Sequence, residues 1–249
     1  MVDAPPPAAL AWVADVTGAP ITAVRRLAGG THAATHLIES GGVTEVVLRR
    51  FPPGDSASAR KARILGLLDG LDGLAPRLIA ADPAGARFGE PSVVISRLPG
   101  QAEILLAQPE ALGRILARVH AAPFAGTAAG DVLTHFDYWS GNVLYEEGQL
   151  TGVVDWSAAR SAPRGFDVSW CRLDLVLLHG PGVADDFLDA YQDAAGLVVP
   201  DRPEWDRRAL DKSADTVETW IDNYHDLGRL DLTPADLRER HTAGRSVLA

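Results

Sequence analysis

The chain has 249 residues, 47% of them apolar, with a formal net charge of −10 and a pI near 5.1. That size suits one large globular domain or two lobes, and the acidic balance argues against nucleic acid or an anionic membrane as partner, since both attract basic surfaces. The single cysteine, Cys171, allows no internal disulfide, and neither a signal sequence nor an apolar run long enough to span a bilayer occurs, so a cytoplasmic protein open to a cationic small molecule is expected.

Residues 1–7 carry three consecutive prolines and predict a disordered lead. A helix is predicted from Ala8, with Leu10, Val13 and Ala14 at helical spacing and Trp12 flanking them, stopped by Gly18 and Pro20. Strands follow at Ile21 to Leu27, around His36 to Ile38 after the Gly29-Gly30 turn, and at Val43 to Arg50. A helix is expected over Ser58 to Leu71, a strand up to Ala80, a strand at Ser92 to Ser96 and a buried helix over Gln108 to Ala121 that ends in a packed or capping His120. Beyond residue 165 the reading is helical. Phe166 to Leu178 is one helix, broken by Gly180-Pro181-Gly182, and Val183 to Ala195 is the next. A further helix is expected over Leu210 to Leu227, with Val217, Trp220, Ile221 and Tyr224 inward and Asp215, Glu218, Asp222 and Asp226 outward.

The chemistry concentrates between Leu133 and Asp155. His135, Asp137 and Asn142 have the H-x-D-x-x-x-x-N spacing of a kinase catalytic loop, and Asp155 closes a short apolar run. Two β-rich runs, Asn142 to Tyr145 and Gly152 to Asp155, flank Glu146-Glu147-Gly148-Gln149, which reads as a hairpin turn that would hold Asn142 beside Asp155. Phosphoryl transfer needs an aligned hydroxyl and neutralisation of developing charge. Asp137 would take or orient the hydroxyl proton, with His135 beside it in the motif, while Asn142 and Asp155 would offer hard oxygens to Mg²⁺. His135-x-Asp137 alone could also be part of a hydrolytic metal site, but the other six histidines lack paired-ligand spacing.

The loop, the hairpin and the Asp155-Trp156 pair together resemble the aminoglycoside phosphotransferase and choline kinase family, and Pro163-Arg164-Gly165-Phe166-Asp167 matches the loop and further Asp of that family. The resemblance implies an α+β, two-lobed protein-kinase-like fold. A nucleotide-binding lobe with a small antiparallel sheet would span residues 8–98, and a mainly helical catalytic and substrate-binding lobe residues 99–249. It also implies ATP as co-substrate, Mg²⁺, and a small-molecule alcohol as acceptor, an aminoglycoside among the options. Carried over by position, Gly29-Gly30 would fold over the triphosphate, Arg49 would stand in place of the usual phosphate-gripping lysine, and the Ser96 carbonyl and Leu98 amide would hold adenine. Asp215, Glu218 and Asp222 would meet amines of the acceptor.

One departure motivates a second reading. Arg49 replaces the lysine, Lys61 stands where the pairing glutamate is expected, and no Glu lies between Glu45 and Glu90, although Asp55 or Asp69 could substitute. A nucleotide-binding pseudokinase or scaffold is therefore the alternative. Under the enzyme reading Lys61 points to solvent or adds charge near the nucleotide, and Arg50 reads as a strand-end residue facing water.

Overall fold

The computed structural model describes residues 4–27 and 33–248, and the chain divides into two compact units, Met1–Leu98 and Pro99–Ala249. In the first, helix α1 (Pro7–Thr17) buries Ala9, Trp12 and Val13. Trp12 is thus in the core rather than flanking it, because a 3.6-residue period puts positions 9, 12 and 13 on one face. Pro7, expected to close a disordered lead, opens the helix instead: the first turn needs no N–H from it. Gly18 at φ 72° ends α1, a left-handed position that a side chain would strain.

Strands β1 (Ile21–Arg26), β2 (Ala34–Ser40) and β3 (Thr44–Arg50), helix α2 (Ala57–Leu68), and strands β4 (Leu78–Asp82) and β5 (Ser92–Ser96) complete this unit. The sheet is antiparallel, in the order β1-β2-β3-β5-β4. α1 covers one face, packing Ala9, Trp12 and Val13 against Ile38, Val46, Leu48 and Val94. Each such large apolar side chain contributes about 1.5–3 kcal/mol when fully buried. Since side chains alternate along β3, Val46 and Leu48 point to α1 and Arg49 projects from the opposite face.

Two basic residues depart from expectation. Arg50 does not face water: it is 5% exposed and pairs with Glu90 at 2.6 Å. Lys61 does not point to solvent either, being 3% exposed on the buried side of α2 with Ile64, Leu65 and Leu68. α2 stops three residues before Leu71, where Asp69 turns left-handed at φ 43°.

The second unit opens with β6 (Gln101–Ala102) and α3 (Pro109–Ala121) and continues through β7 (Val132–Thr134), β8 (Val143–Glu146), β9 (Gln149–Val153) and β10 (Arg160–Ala162). The helices α4 (Gly165–His179), α5 (Pro181–Ala195), α6 (Arg202–Ser213), α7 (Ile221–Asp226) and α8 (Pro234–Val247) follow. β6, β8 and β9 form one small antiparallel sheet and β7 pairs with β10 in another. α4 is the buried axis, contacting α5, α6 and α8. Gly180 alone separates α4 from α5. Pro181 and Gly182, expected in the break, lie inside α5, since proline suits a first helical turn.

The helix expected over Leu210 to Leu227 is three pieces: α6 ends at Ser213, a turn follows, and a 3₁₀ segment Val217–Trp220 leads into α7. Val217, Ile221 and Tyr224 are nevertheless buried as expected. α8 was not foreseen. It opens on a capping box in which the Thr233 hydroxyl accepts from the Asp236 N–H and the Asp236 carboxylate accepts from the Thr233 N–H. Among the described residues no helix is long and apolar enough to cross a membrane.

Two helical glycines give a test of packing. A Cβ on Gly113 in α3 would lie 2.7 Å from the Phe187 carbonyl oxygen and the Tyr191 nitrogen of α5, whereas one on Gly66 in α2 would meet nothing within 4 Å. Gly113→Ala should destabilise by about 1–3 kcal/mol through overpacking, and Gly66→Ala should stabilise by about 0.4–1 kcal/mol through the unfolded chain. Denaturant melts of both variants check this; a Gly113→Ala midpoint at or above wild type contradicts the close helix approach.

Candidate active site

β7 delivers the chain into the loop 135–142, and a carboxylate from α4 fixes the loop's backbone. Asp167, fully buried in the first turn of α4, accepts the His135 N–H at 2.6 Å through Oδ2 and the Phe136 N–H at 2.8 Å through Oδ1. Phe136 is thereby held at φ 70°, a conformation that costs a residue with a side chain about 1–2 kcal/mol.

The carboxylate is itself oriented by a hydrogen-bonded chain. Arg164 Nη1 donates to the Tyr191 hydroxyl oxygen at 3.0 Å, His120 Nδ1 lies 2.7 Å from that hydroxyl, and His120 Nε2 lies 3.2 Å from Asp167 Oδ2. Burial lowers the His120 pKa despite Asp167, which favours a neutral ring. One direction then satisfies every group: Tyr191 donates to Nδ1 and Nε2–H donates to the carboxylate.

His135, expected beside Asp137 in the catalytic motif, lies beneath the loop. Its ring is fully buried, with Nε2 2.9 Å from the Val154 carbonyl, Nδ1 accepting the Asp137 N–H at 3.3 Å, and the Trp156 ring 4.6 Å away. These contacts tie the loop to the strand end at Val154.

Asp137 is part-buried. Burial raises its pKa and the charges of Asp155 and Asp167 add to the rise, opposed by His135 and by the Asn142 hydrogen bond. Asn142 Nδ2 donates to the Asp137 carbonyl at 2.8 Å and to its Oδ2 at 3.1 Å. With the amide nitrogen committed there, the Asn142 side-chain oxygen faces away from Asp137. The hairpin carries Asp155 alongside: its turn is Glu147-Gly148, both at positive φ as a two-residue turn requires, and the Val154 N–H donates to the Asn142 carbonyl at 2.8 Å.

Asp155 is left-handed at φ 62° and accepts the Ser157 hydroxyl at 2.9 Å. Asn142 and Asp155 thus offer neutral and anionic oxygens, the donor types that suit Mg²⁺. Among the described residues no group of three or more His, Cys, Asp or Glu could hold a metal.

The far end of the loop is fastened to α4 as well. Asp174 Oδ2 accepts the Ser140 hydroxyl at 2.9 Å and its N–H at 3.3 Å, while Oδ1 accepts the Tyr224 hydroxyl at 2.9 Å. Next to Ser140, the Trp139 ring lies across Gly141, where a Cβ would come within 2.2 Å of it.

Of the remaining expected site residues, Arg49 lies on β3 with its guanidinium 5.9 Å from the Phe51 ring centre, and Ser96 ends β5 with its N–H donating to the Arg77 carbonyl. Leu98 closes the first unit, and Gly29 and Gly30 lie outside the described residues. The acidic trio expected on one helix is dispersed across the broken segment. Asp215 and Asp222 are exposed, and Glu218 is paired with Arg238, which lowers its pKa. Asp69 and Asp55, weighed as substitutes for the missing glutamate, pair with Arg77 and accept the Ala57 N–H respectively.

Asp174 and the Arg164–Tyr191–His120 chain were not anticipated as part of the site. A charged residue inside the apolar helix at 168–178 was the one available signal. Burial pushes the Asp174 carboxyl up to about 6 against the pull of Tyr224 and Ser140, and the Asp137 charge adds to the rise. Its folded pKa exceeds the ordinary 3.8, so between those values the native state holds a proton the unfolded chain lacks, and stability from this group falls as pH rises. The loss is on the order of 2–3 kcal/mol between about pH 4 and pH 6. Asp174→Asn should remove that slope from the stability profile; a variant with the wild-type pH dependence contradicts the assignment.

No curated protein matches the sequence. Solved structures of similar fold include a candidate aminoglycoside phosphotransferase from Ralstonia eutropha JMP134, with TM-score 0.68 and 15% identity over 97% of this chain and 95% of that one. The macrolide 2'-phosphotransferase MphH of Brachybacterium faecium is similar at TM-score 0.62, with 14% identity over 95% and 96%. APH(2")-IIa, solved as a ternary complex with streptomycin and ATP, gives 0.61, with 15% identity over 95% and 99%. At these identities the likeness is one of fold, that of the protein-kinase-like phosphotransferases. The model of the phosphotransferase enzyme family matches residues 23–131 and 125–210, well over half of the sequence, and the chain belongs to that family of small-molecule kinases.

Proposed function

We propose that the protein transfers the γ-phosphoryl group of ATP to a hydroxyl of a small molecule in a Mg²⁺-dependent reaction in the cytoplasm. The observation that carries this reading is the contact of Asn142 Nδ2 with the part-buried Asp137 carboxylate at 3.1 Å. One residue thereby serves the acceptor while its neighbour keeps a side-chain oxygen for a cation. The ATP complex of APH(2")-IIa supports the choice of co-substrate.

In this reading the acceptor oxygen attacks the γ-phosphorus as its proton passes to Asp137, the bond to the β-phosphate oxygen breaks, and ADP leaves. The raised pKa of Asp137 makes it the better proton acceptor. Asn142 and Asp155 would hold Mg²⁺, which supplies charge neutralisation at the phosphates when bound. Arg49 would grip the phosphates as a permanently charged fork, Gly29 and Gly30 would admit backbone N–H groups to the triphosphate, and the Ser96 carbonyl and Leu98 amide would hold adenine. Arginine needs less orientation by a carboxylate than lysine does, so the missing glutamate is compatible with turnover.

Asp137→Asn should lower the transfer rate about 10²–10⁴-fold while ATP affinity stays near wild type, and Asp155→Ala should lose the Mg²⁺-dependent part of nucleotide binding. Single-turnover transfer and calorimetry with and without Mg²⁺ measure the two. Wild-type transfer by Asp137→Asn contradicts its role, and equal Mg²⁺ dependence in Asp155→Ala contradicts the metal assignment.

A further inference from the structure

The acceptor's chemistry can be read from the face of α4 that runs beside the catalytic loop. Phe166, Trp170 and Asp174 recur at intervals of four and share that face. Phe166 stacks on Phe136, with ring centres 3.9 Å apart and an interplanar angle of 16°, and Asp174 binds Ser140. The loop is therefore fastened to α4 at residues 136 and 140, and Trp170 lies on α4 between the two fastening residues, Phe166 and Asp174. Trp170 stacks on Phe166 at 5.8 Å and 10° and meets Trp220 at 5.6 Å and 48°. Phe136, Phe166, Trp170 and Trp220 form a row, and all four are part-exposed, unlike Trp156 at 1%. A contiguous part-exposed aromatic row next to a reactive carboxylate marks a binding surface.

Two cations lie over rings of the row. Lys212 Nζ lies 5.4 Å from the Phe166 ring centre and 5.8 Å from that of Trp170, and the Arg160 guanidinium lies 3.5 Å from that of Phe136. Phe136, Phe166 and Trp170 thus each already have one of the protein's own cations nearby, which a cationic ligand would meet with repulsion. Of the three acidic residues expected to meet amines, Glu218 is paired with Arg238, while Asp215 and Asp222 are exposed.

Resting on the phosphotransferase reading, we infer that the acceptor is an alcohol that lays a flat apolar face on Trp170 and Trp220, and that it is neutral or anionic rather than a polycation. A ring stacked there presents a neighbouring hydroxyl to Asp137. Carboxylate substituents would gain from Lys212 and Arg160, and amines would be repelled by them.

Naphthalenemethanol, its carboxylate-substituted and aminomethyl-substituted analogues, and streptomycin are the probes, titrated calorimetrically into the full chain with Mg²⁺ and ADP present. The neutral and carboxylate probes should bind at least tenfold more tightly than the aminomethyl probe and streptomycin. Trp170→Ala should weaken the two favoured probes about tenfold or more, as loss of a stacking partner does. Lys212→Glu, a change at an exposed position, should shift preference from the carboxylate toward the aminomethyl probe. Tighter binding of streptomycin, no binding of any ring probe, or an unaltered preference in Lys212→Glu overturns the inference. Nucleotide binding by the Asp155→Ala protein is independent of these probes, so a failure here is distinguishable from a failure of the phosphotransfer reading.

Discussion

Two hydrogen bonds to one carboxylate set the geometry on which everything else in the second unit depends. Asp167 takes the N–H groups of His135 and Phe136 at 2.6 and 2.8 Å in a fully buried setting, where an unsatisfied N–H or an unpaired carboxylate would each cost several kcal/mol. The left-handed Phe136 backbone is stable only because these bonds hold it. That kink turns the Phe136 ring onto Phe166 and leaves Asp137 at the loop's open side while His135 is locked underneath. Asp174 repeats the device at Ser140, so α4 holds the loop at both ends. A helix is a suitable anchor because its backbone bonds are internal, and its rigidity passes directly to the loop.

The first unit follows a different logic, in which the two faces of one sheet divide the work. α1 seals one face with Trp12 and its neighbours, and Arg50, of the same parity along β3 as Leu48, is absorbed by pairing with Glu90. Arg49 is one residue out of phase and so projects from the other face. Adjacent arginines of similar appearance thus lie on opposite faces of the sheet through strand alternation alone. The two flanking glutamates are committed elsewhere, Glu90 to Arg50 and Glu45 to Arg97.

The sequence made the site's chemistry legible where chemistry constrains spacing. Asp137, Asn142 and Asp155 must share one location, and Glu147-Gly148 carries its own turn signal, so loop and hairpin could be read together. Long-range partners left no such trace. Tyr191 and Arg164 meet His120 only once α3 and α5 are packed, and Lys61 and Arg50 read as solvated because charge is ordinarily a surface property. The helix expected over 210–227 failed because the apolar period continues through the break: Val217, Ile221 and Tyr224 stay inward although Ala214 to Thr216 is a turn with no glycine or proline to announce it. The acidic stripe expected on that helix is dispersed with it, and the row of Phe136, Phe166, Trp170 and Trp220 leaves no pattern in the sequence because its members lie in three separate segments.

If Asp167 shapes the loop for phosphoryl transfer, then Asp167→Asn removes one acceptor and sets an amide N–H against a loop N–H, leaving nucleotide contacts untouched. The direct measurement is the single-turnover rate of phosphoryl transfer from bound ATP in the folded variant. The account predicts a fall of at least about tenfold, the cost of losing roughly one charge-assisted hydrogen bond from the active geometry, with ATP affinity retained. A folded Asp167→Asn protein that transfers phosphate at the wild-type rate would contradict it.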